Sequence, residues 1–529
     1  MEIYYGGTVI TMEEECDREE KTEAVCVKDG RIVYVGTEEQ AKARYPHAEL
    51  HNLRGGVLMP AFIDAHSHLS QAASELLQIP LENVHNMQEL RSAILDYLDK
   101  NHIQPGAWIR AKGFDHNQME EREFPTRKLL DGLLPDNPCV IQHKSGHMGV
   151  LNSMALKVVG ITAQTEAPKG GLIGKKDGEL TGYLEENAFI DCQKKIGSPD
   201  MGQFLGAVEE AQDIYASYGI ATVQEGMMAA QMIPMYKYMM EHNYLKLDVV
   251  GYADVNSADE FRQAFAESIG KYHEHFKLGG YKIFLDGSPQ GRTAWMLEPY
   301  EGEEEYRGYG TLSNDKVYEA VKKAVDTEMQ LLAHCNGDAA AAQYLDMVLK
   351  AKTEGMDVAA IRPVMIHAQL LRRDQMGKLK ASGMIPSFFV AHVYHWGETH
   401  RKNFGEKRAS AISPAGTALK NGILFTFHQD NPVIQPDMLE TVWCAVNRVT
   451  RDGRVLGEEE RIPVYEALKA VTINAAYQYF EEKEKGSIRE GKLADFVVLD
   501  KNPLETPETE IKNIRVMATY RRGKLIYRR

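Results

Sequence analysis

The stretch VLMPAFIDAHSHLSQ, Val57 to Gln71, is the part of the sequence that decides the fold. It opens as an unbroken apolar run, which is typical of a parallel strand buried on both faces. His66 and His68 follow at its end, and residues two apart on a strand face the same way. Asp64 shares that side. We therefore expect a buried strand over Val57–Asp64 that carries two imidazoles to one end of the core.

Seven further apolar runs follow this strand, and most of the segments between them have helical periodicity, as in NDKVYEAVKKAVDTEM. Strands that alternate with helices favour a parallel sheet with helices outside it. Eight such strands predict an α/β fold of the (β/α)₈ or TIM-barrel type. The seven later runs are 220–226, 246–253, 279–287, 330–336, 362–368, 383–391 and 422–430.

The two ends of the chain have a different pattern, of short strands and turns. Asp29-Gly30 lies between two alternating apolar runs and predicts a hairpin, as does Arg522-Gly523 near the C-terminus. We expect residues 1–56 and 480–529 to pair into one small sheet domain and residues 57–479 to form the barrel. Residues 70–200 exceed what one helix requires, so they are predicted to be an inserted, cap-like segment that overhangs the C-terminal ends of the barrel strands.

Charge and cysteine content argue against several classes of protein. Lys plus Arg is 61 and Asp plus Glu is 76, a net charge of −15, and no basic tract interrupts this balance. Nucleic acid and membranes are therefore not expected as partners. The six cysteines form no C-x-x-C pair, which favours a reducing cytoplasm over a disulfide framework or zinc finger. The N-terminal residues lack the pattern of a signal peptide, and no apolar run could span a bilayer.

Polar residues recur at the ends of the predicted strands. His334 ends the fifth strand, His367 the sixth and Asp430 the eighth, while Lys282 stands inside the fourth. Closure of a barrel would bring these groups to His66 and His68 at one rim. Imidazoles and a carboxylate are natural ligands of zinc or a similar divalent ion. The strand ends therefore predict a metal site.

Lys282 is unusual in such a site because an ammonium group repels a cation. A neutral lysine amine can take up carbon dioxide, and the resulting carbamate can bridge two metal ions. A lysine within an apolar strand is costly unless it is neutralised or paired. The alternative interpretation is an ion pair with Asp286 or Glu225, and Glu225 would then be the next candidate bridge.

The same segments resemble the amidohydrolase superfamily. MPAFIDAHSHL matches its first-strand signature, and GGYKIFLDGSPQGRTA, LLAHCNGDAA, VMIHAQLL, FHQDNPV and a closing segment that ends in GKLADFVVLD follow in order. SGHMGVLNSMAL and GELTGYLEENA are similar to the YtcJ-like branch, which includes N-substituted formamide deformylases. One departure is that His428 and Gln429 precede Asp430, where the branch more often has a serine.

This resemblance implies a metal-dependent hydrolase of an amide-type C–N bond, an N-acyl or N-formyl amide, with a composite β-sandwich beside the barrel. It implies one or two zinc ions per chain, with Asp430 as the catalytic proton carrier. A small-molecule substrate and a homodimer are further expectations. The metal ligands implied are His66, His68, Lys282, His334, His367 and Asp430.

The sequence also indicates candidate substrate contacts and a second H-x-H pair. Substrate contacts are expected from the insertion and from the segment after the seventh strand, because both lie next to the predicted rim. His273 and His275 also form an H-x-H pair, but their charged, helix-like surroundings predict that they face solvent. The expected substrate contacts are Asp115, His147, Asn152, His392, Tyr394 and Trp396.

Three alternatives remain open from the residues alone. A deaminase on the same barrel would pair a barrel histidine with a nearby glutamate, whereas the segment after His334 offers Asp338. An esterase or isomerase is not separated from an amidase by these motifs. A non-catalytic binding or assembly protein would be marked by lost ligands, and each ligand position here is filled.

Overall fold

The computed structural model describes residues 1–13, 22–101, 103–144, 146–196 and 200–529. Its strands in chain order are β1 (Glu2–Tyr5), β2 (Thr8–Val9), β3 (Ala24–Lys28), β4 (Arg31–Gly36), β5 (Glu49–Asn52), β6 (Val57–Pro60), β7 (Phe62–Ile63), β8 (Ile79–Pro80), β9 (Ile109–Phe114), β10 (Cys139–His143), β11 (Met148–Leu151), β12 (Gly171–Lys176), β13 (Glu179–Glu186), β14 (Ile220–Met228), β15 (Asp248–Asp254), β16 (Phe276–Phe284), β17 (Gln330–Cys335), β18 (Val364–His367), β19 (Ile385–Phe388), β20 (Thr426–Phe427), β21 (Phe496–Leu499), β22 (Val516–Arg521) and β23 (Lys524–Arg528).

The α-helices of the same residues lie between these strands. They are α1 (Glu38–Arg44), α2 (Leu69–Leu76), α3 (Met87–Asn101), α4 (Arg127–Leu133), α5 (Ser153–Val158), α6 (Asn187–Gln193), α7 (Met201–Ser217), α8 (Ile233–Glu241), α9 (Ala258–Ala264), α10 (Asn314–Asp326), α11 (Asp338–Thr353), α12 (Met376–Ser382), α13 (His392–Ser410), α14 (Ala415–Lys420), α15 (Met438–Asn447), α16 (Val464–Ala470) and α17 (Ile473–Gln478). Over the described ranges no helix is long and apolar enough to cross a membrane.

The chain divides into two compact units, one of residues 1–71 with 209–529 and one of residues 72–208. In the first unit, eight parallel strands form one sheet in the order β20-β19-β18-β17-β16-β15-β14-β7. Each of these eight strands pairs with the one that follows it in the barrel series, as a (β/α)₈ barrel requires. The sheet curls so that the residues after its two outer strands meet, since His68 N donates to Asn431 O at 2.9 Å. The predicted fold is confirmed.

The first predicted strand is divided between two sheets, which corrects its boundaries. Residues 57–60 form β6, which pairs with β2 and β21 in a five-stranded sheet, and only 62–63 form the barrel strand β7. Every residue from Val57 to Ile63 is buried. A run that is buried throughout gives no periodic sign of where one sheet ends and the next begins, so the sequence pattern could not place this break.

The two chain ends form a sandwich of two sheets. One has the order β4-β3-β1-β5 and the other β2-β6-β21-β22-β23. Both predicted hairpins are present, since β3 pairs with β4 around Asp29-Gly30 and β22 pairs with β23 around Arg522-Gly523. The two sheets share one core, which contains Tyr4, Val27, Leu58, Phe496 and Tyr520 among its buried members. Hydrophobic burial between strands from opposite ends of the chain therefore stabilises the sandwich.

The inserted unit, residues 72–208, has its own sheet and its own core. Its strands lie in the order β12-β13-β11-β10-β9-β8. Its helices include α3, α4, α5 and α6. The insertion is thus a folded unit, a little longer at its C-terminal end than the predicted range of 70–200.

The prediction for the second H-x-H pair is wrong for one of its members. His273 is about half exposed, as expected. His275 instead lies 3.1 Å from Oδ1 of the fully buried Asp248 and accepts a hydrogen bond from Arg521 at 2.7 Å. Lys485 pairs with the other Asp248 oxygen at 2.7 Å. These partners are distant along the chain, so local charge patterning could not indicate them.

Candidate metal centre

His66 and His68 lie in the bend after β7, where their nitrogens converge on one carboxylate. His66 Nε2 is 3.3 Å and His68 Nε2 is 3.4 Å from Asp430 Oδ1. Gly226 permits this packing, because a Cβ there would lie 2.6 Å from His66 Cε1. The fold thus brings the end of the first barrel strand and the end of the eighth into one cluster.

Gln224, a residue that the motifs did not single out, fixes the tautomer of His66. Its amide nitrogen donates to Ala65 O at 2.8 Å and to Tyr479 Oη at 2.9 Å, so its oxygen must face His66. That oxygen is 2.6 Å from His66 Nδ1, which therefore carries the ring proton. Burial and the neighbouring Lys282 hold the pKa of His66 well below its usual value, so the ring is neutral. The lone pair of Nε2 consequently faces the Asp430 oxygen.

His334 and His367, at the ends of β17 and β18, form the second part of the cluster. His334 Nδ1 lies 3.1 Å from His367 Nε2, and His367 Nε2 lies 3.9 Å from Asp430 Oδ2. His334 Nε2 lies 3.0 Å from Asn336 Nδ2 and 3.3 Å from Gly287 O, so these two groups orient the ring while Nδ1 faces His367. His367 has a positive φ of 72°, a backbone strain that persists at functional sites.

Behind His367 stand two residues that set its orientation. His367 Nδ1 is 3.0 Å from His428 Nε2, and His428 Nδ1 is 2.9 Å from Ser387 Oγ. All three residues are buried. A proton on His367 Nδ1, donated to His428, would leave His367 Nε2 as the free ligand atom. His428, noted in the sequence as a departure from the branch, is thus a supporting partner of a candidate ligand.

Asp430 is the centre of the cluster and carries an unsatisfied oxygen. Its Oδ1 is buried and accepts no hydrogen bond within the described ranges. Burial alone would raise the pKa of Asp430, but His68 opposes burial most strongly, and the pKa lies well below the usual range. A lone pair of His66 and a carboxylate oxygen at 3.3 Å repel each other unless a cation lies between them. Two ligands on a tetrahedral zinc ion at 2.0–2.1 Å are about 3.3 Å apart, so these residues fit a divalent metal.

Lys282 lies inside β16 and is completely buried. Its Nζ is 3.4 Å from His66 Nε2. Burial lowers the pKa of Lys282 to about 7, although Asp430 partly opposes the shift. A substantial fraction of the amine is therefore neutral near pH 7, which is the form that reacts with carbon dioxide.

The carboxylates proposed as alternative partners of Lys282 are engaged elsewhere. Asp286 accepts backbone N–H groups from Trp295, Asn336 and Gly337. Glu225 accepts from Tyr236 Oη at 2.5 Å and from Ser70 N at 2.8 Å. Over the described residues, neither is an ion-pair partner of Lys282, so the simple ion-pair interpretation loses its support.

The three candidates after the seventh barrel strand have different surroundings. His392 packs against Phe389 at 4.4 Å between ring centroids, and Phe389 in turn contacts His428 at 5.3 Å. Trp396 lies beside His392 at 4.5 Å. Tyr394 instead packs edge-to-face on Trp443 of α15 at 5.3 Å. His392 and Trp396 are thus near the cluster, whereas the contacts of Tyr394 are with a neighbouring helix.

The three candidates in the insertion have local partners. Asn152 is buried and caps α5, and its side chain bonds Cys139 N, Ala155 N and two carbonyls, so local folding accounts for all of its contacts. His147 is exposed and lies 3.0 Å from Glu186. Asp115 pairs with Lys144 and accepts from Asn117 N at 3.0 Å.

Beside the cluster is a cavity of about 510 Å³ that Lys282 borders. Met227, Val255, Phe284 and Leu312 contribute apolar walls. Phe284 is 37% exposed and its ring lies 4.8 Å from that of His334. An apolar group bound there would remove Phe284 from water.

The model of the Amidohydrolase family matches residues 49–527. The chain belongs to the amidohydrolase family. It is 28% identical to the putative amidohydrolase YtcJ of Bacillus subtilis, over 99% of each chain. It is 27% identical to an N-substituted formamide deformylase of Arthrobacter pascens, over 96% of this chain and 95% of that one.

A solved structure supports the fold of this amidohydrolase. An uncharacterized metal-dependent hydrolase from Pyrococcus horikoshii superimposes with a TM-score of 0.77 at 22% identity, over 96% of this chain and 99% of that one. The predicted family and fold are confirmed.

Proposed function

We propose that this amidohydrolase cleaves an amide-type C–N bond of a small N-acyl or N-formyl amide. The observation that carries the proposal is the unsatisfied Oδ1 of Asp430, which two histidine Nε2 atoms approach at 3.3 and 3.4 Å. The similarity to an N-substituted formamide deformylase over nearly the full length supports an amide as the substrate.

The residues that would hold the metal, with zinc as the favoured ion, fall into two sets. His66, His68 and Asp430 form one set, and His334 with His367 forms the other. A carbamate on Lys282 would supply the negative charge that a second cation needs. When bound, such ions polarise a carbonyl and lower the pKa of water from 15.7 to about 7.

Asp430 is the proton carrier in this proposal. It accepts a proton as water adds to the carbonyl carbon and the new C–O bond forms. It then returns the proton to the leaving nitrogen as the C–N bond breaks, so the amine departs neutral. Its low pKa keeps it ionised and able to accept. The cavity beside Lys282 would take a substituent of the amide, with apolar walls such as Phe284 and Leu312 and charged residues such as Asp254 and Lys316 around it.

The proposal is tested with purified protein, metal analysis and a panel of amides. The panel pairs each N-formyl and N-acyl amide with the ester of the same acid, and amine release is measured. We expect bound divalent metal, amide hydrolysis, and loss of that activity on chelation with recovery on adding zinc. Metal-loaded protein that cleaves the esters and none of the amides would overturn the proposal, as would full activity without metal.

A further inference from the structure

A second histidine pair lies next to the candidate metal centre and outside its ligand set. His392 begins α13, just after β19, on the rim where the candidate ligands lie. Its Nδ1 is 3.1 Å from His400 Nε2, and the two ring planes are within 8° of parallel. His392 is 3% exposed and His400 is 0% exposed. One aromatic ring, that of Phe389, separates His392 from His428.

Both histidines of the pair are neutral. Burial lowers the pKa of His392 well below its usual value and that of His400 to about 3. A neutral imidazole has one N–H and one lone pair. Within their shared hydrogen bond, one ring must therefore donate and the other must accept.

The surroundings of His400 decide which ring donates. Its other nitrogen, Nδ1, is buried and has no hydrogen-bond partner in the described part of the chain. If His400 accepted at Nε2, Nδ1 would carry a buried N–H without an acceptor. If His400 donates from Nε2, only a lone pair is left unused. Orphaned buried N–H groups are the rarer of the two, so His400 donates and His392 Nδ1 accepts.

The proton of His392 is consequently on Nε2, where the described residues offer no acceptor. Unlike His400 Nδ1, this Nε2 is not one of the fully buried atoms without a partner, so its N–H can reach water or a ligand. We propose that His392 Nε2–H donates a hydrogen bond to the carbonyl oxygen of the substrate, and that His400 is a positioning residue that holds His392 in this tautomer. The inference rests on the proposed amide hydrolysis and extends it. Water addition moves the C=O electron pair onto oxygen, and a donor aimed there stabilises the growing negative charge.

The test compares variants that keep or remove each donor. His392→Phe and His400→Leu remove a donor, while His400→Gln retains an N–H near the position of Nε2. His395→Gln is the control, since His395 lies on the same helix and pairs with Glu440 at 2.9 Å. We expect His392→Phe to lower kcat roughly 100-fold to 1,000-fold with KM little changed. In His400→Leu, kcat should fall by less than in His392→Phe. In His400→Gln, most of that loss of kcat should be recovered. Metal content should be unchanged in both variants.

Binding of acetohydroxamate, which carries a carbonyl oxygen and binds metal, is a readout that does not depend on turnover. Its affinity for metal-loaded protein should fall about tenfold or more in His392→Phe and His400→Leu, the weight of one hydrogen bond, and stay within about twofold in His400→Gln and His395→Gln. If these affinities are found in a protein that hydrolyses no amide, the proposed function is refuted and the inference about His392 stands. Unchanged affinity and kcat in His392→Phe, or equal losses in His400→Leu and His400→Gln, would overturn the inference.

Discussion

Replacing Gln224 with leucine should weaken metal binding without touching a candidate ligand. The Gln224 oxygen is the acceptor for His66 Nδ1 at 2.6 Å and thereby aims the Nε2 lone pair at Asp430. Gln224 lies in β14 and is fully buried, so water cannot take its place.

The magnitude follows from what the substitution leaves unpaired. Ala65 O retains a hydrogen bond from Gln478 at 2.8 Å, and Tyr479 Oη still donates to Asp64 O at 2.7 Å. The stranded group is the His66 Nδ1–H, and a buried donor without an acceptor costs about 1–3 kcal/mol. At about 1.4 kcal/mol per factor of ten, metal affinity should fall roughly 5-fold to 150-fold, in line with the 10–100-fold typical of supporting residues.

The assay is chelator competition for metal, together with a thermal melt of the metal-free proteins. Gln478→Leu is the matched control, because Gln478 is also buried and bonds Ala65 O and Thr426 but does not contact His66. Both variants should melt lower than wild type, and only Gln224→Leu should bind metal more weakly. Equal affinities in Gln224→Leu and wild type, or an equal loss in the control, would refute the reasoning.

Three further outcomes are expected. Asp430→Asn, assayed with excess metal, should lose roughly two to four orders of magnitude in kcat because it cannot accept a proton, and wild-type rates in a metal-replete variant would reject that role. In Lys282→Ala the metal content should fall from about two ions per chain toward one or none. Short-chain carboxylic acids should partly restore activity by filling the bridge position. Unchanged metal content and activity would reject the bridge. Deleting residues 490–529 removes β21, β22 and β23 and leaves the edge of β6 unpaired. Insoluble protein is therefore expected. A soluble, active truncated protein would contradict this prediction.

Three further expectations from the sequence have direct assays. The homodimer can be checked by light scattering, and the cytoplasmic location by fractionation. The metal ligand set and the zinc ion likewise stay predictions until metal analysis of the variants above.

Much of the architecture is determined by the sequence itself. Eight apolar runs alternate with amphipathic helices, and this periodicity reflects which side of each element is buried, a local property. Polar residues at the ends of those runs, such as His334 and Asp430, had to meet once the strands were parallel and the sheet curled. Asp29-Gly30 and Arg522-Gly523 specified their hairpins through the positive φ that such turns need.

Only the tertiary structure decided which groups support that rim. Gln224 aims His66 from a neighbouring strand, His428 backs His367, and His400 sets the tautomer of His392. These hydrogen bonds depend on distances of about 3 Å and on ring orientation, and no spacing in the sequence encodes either. The break between β6 and β7 was hidden for the related reason that both strands are buried on both faces. Periodicity reports burial, whereas the choice of hydrogen-bond partner is made only when distant strands come together.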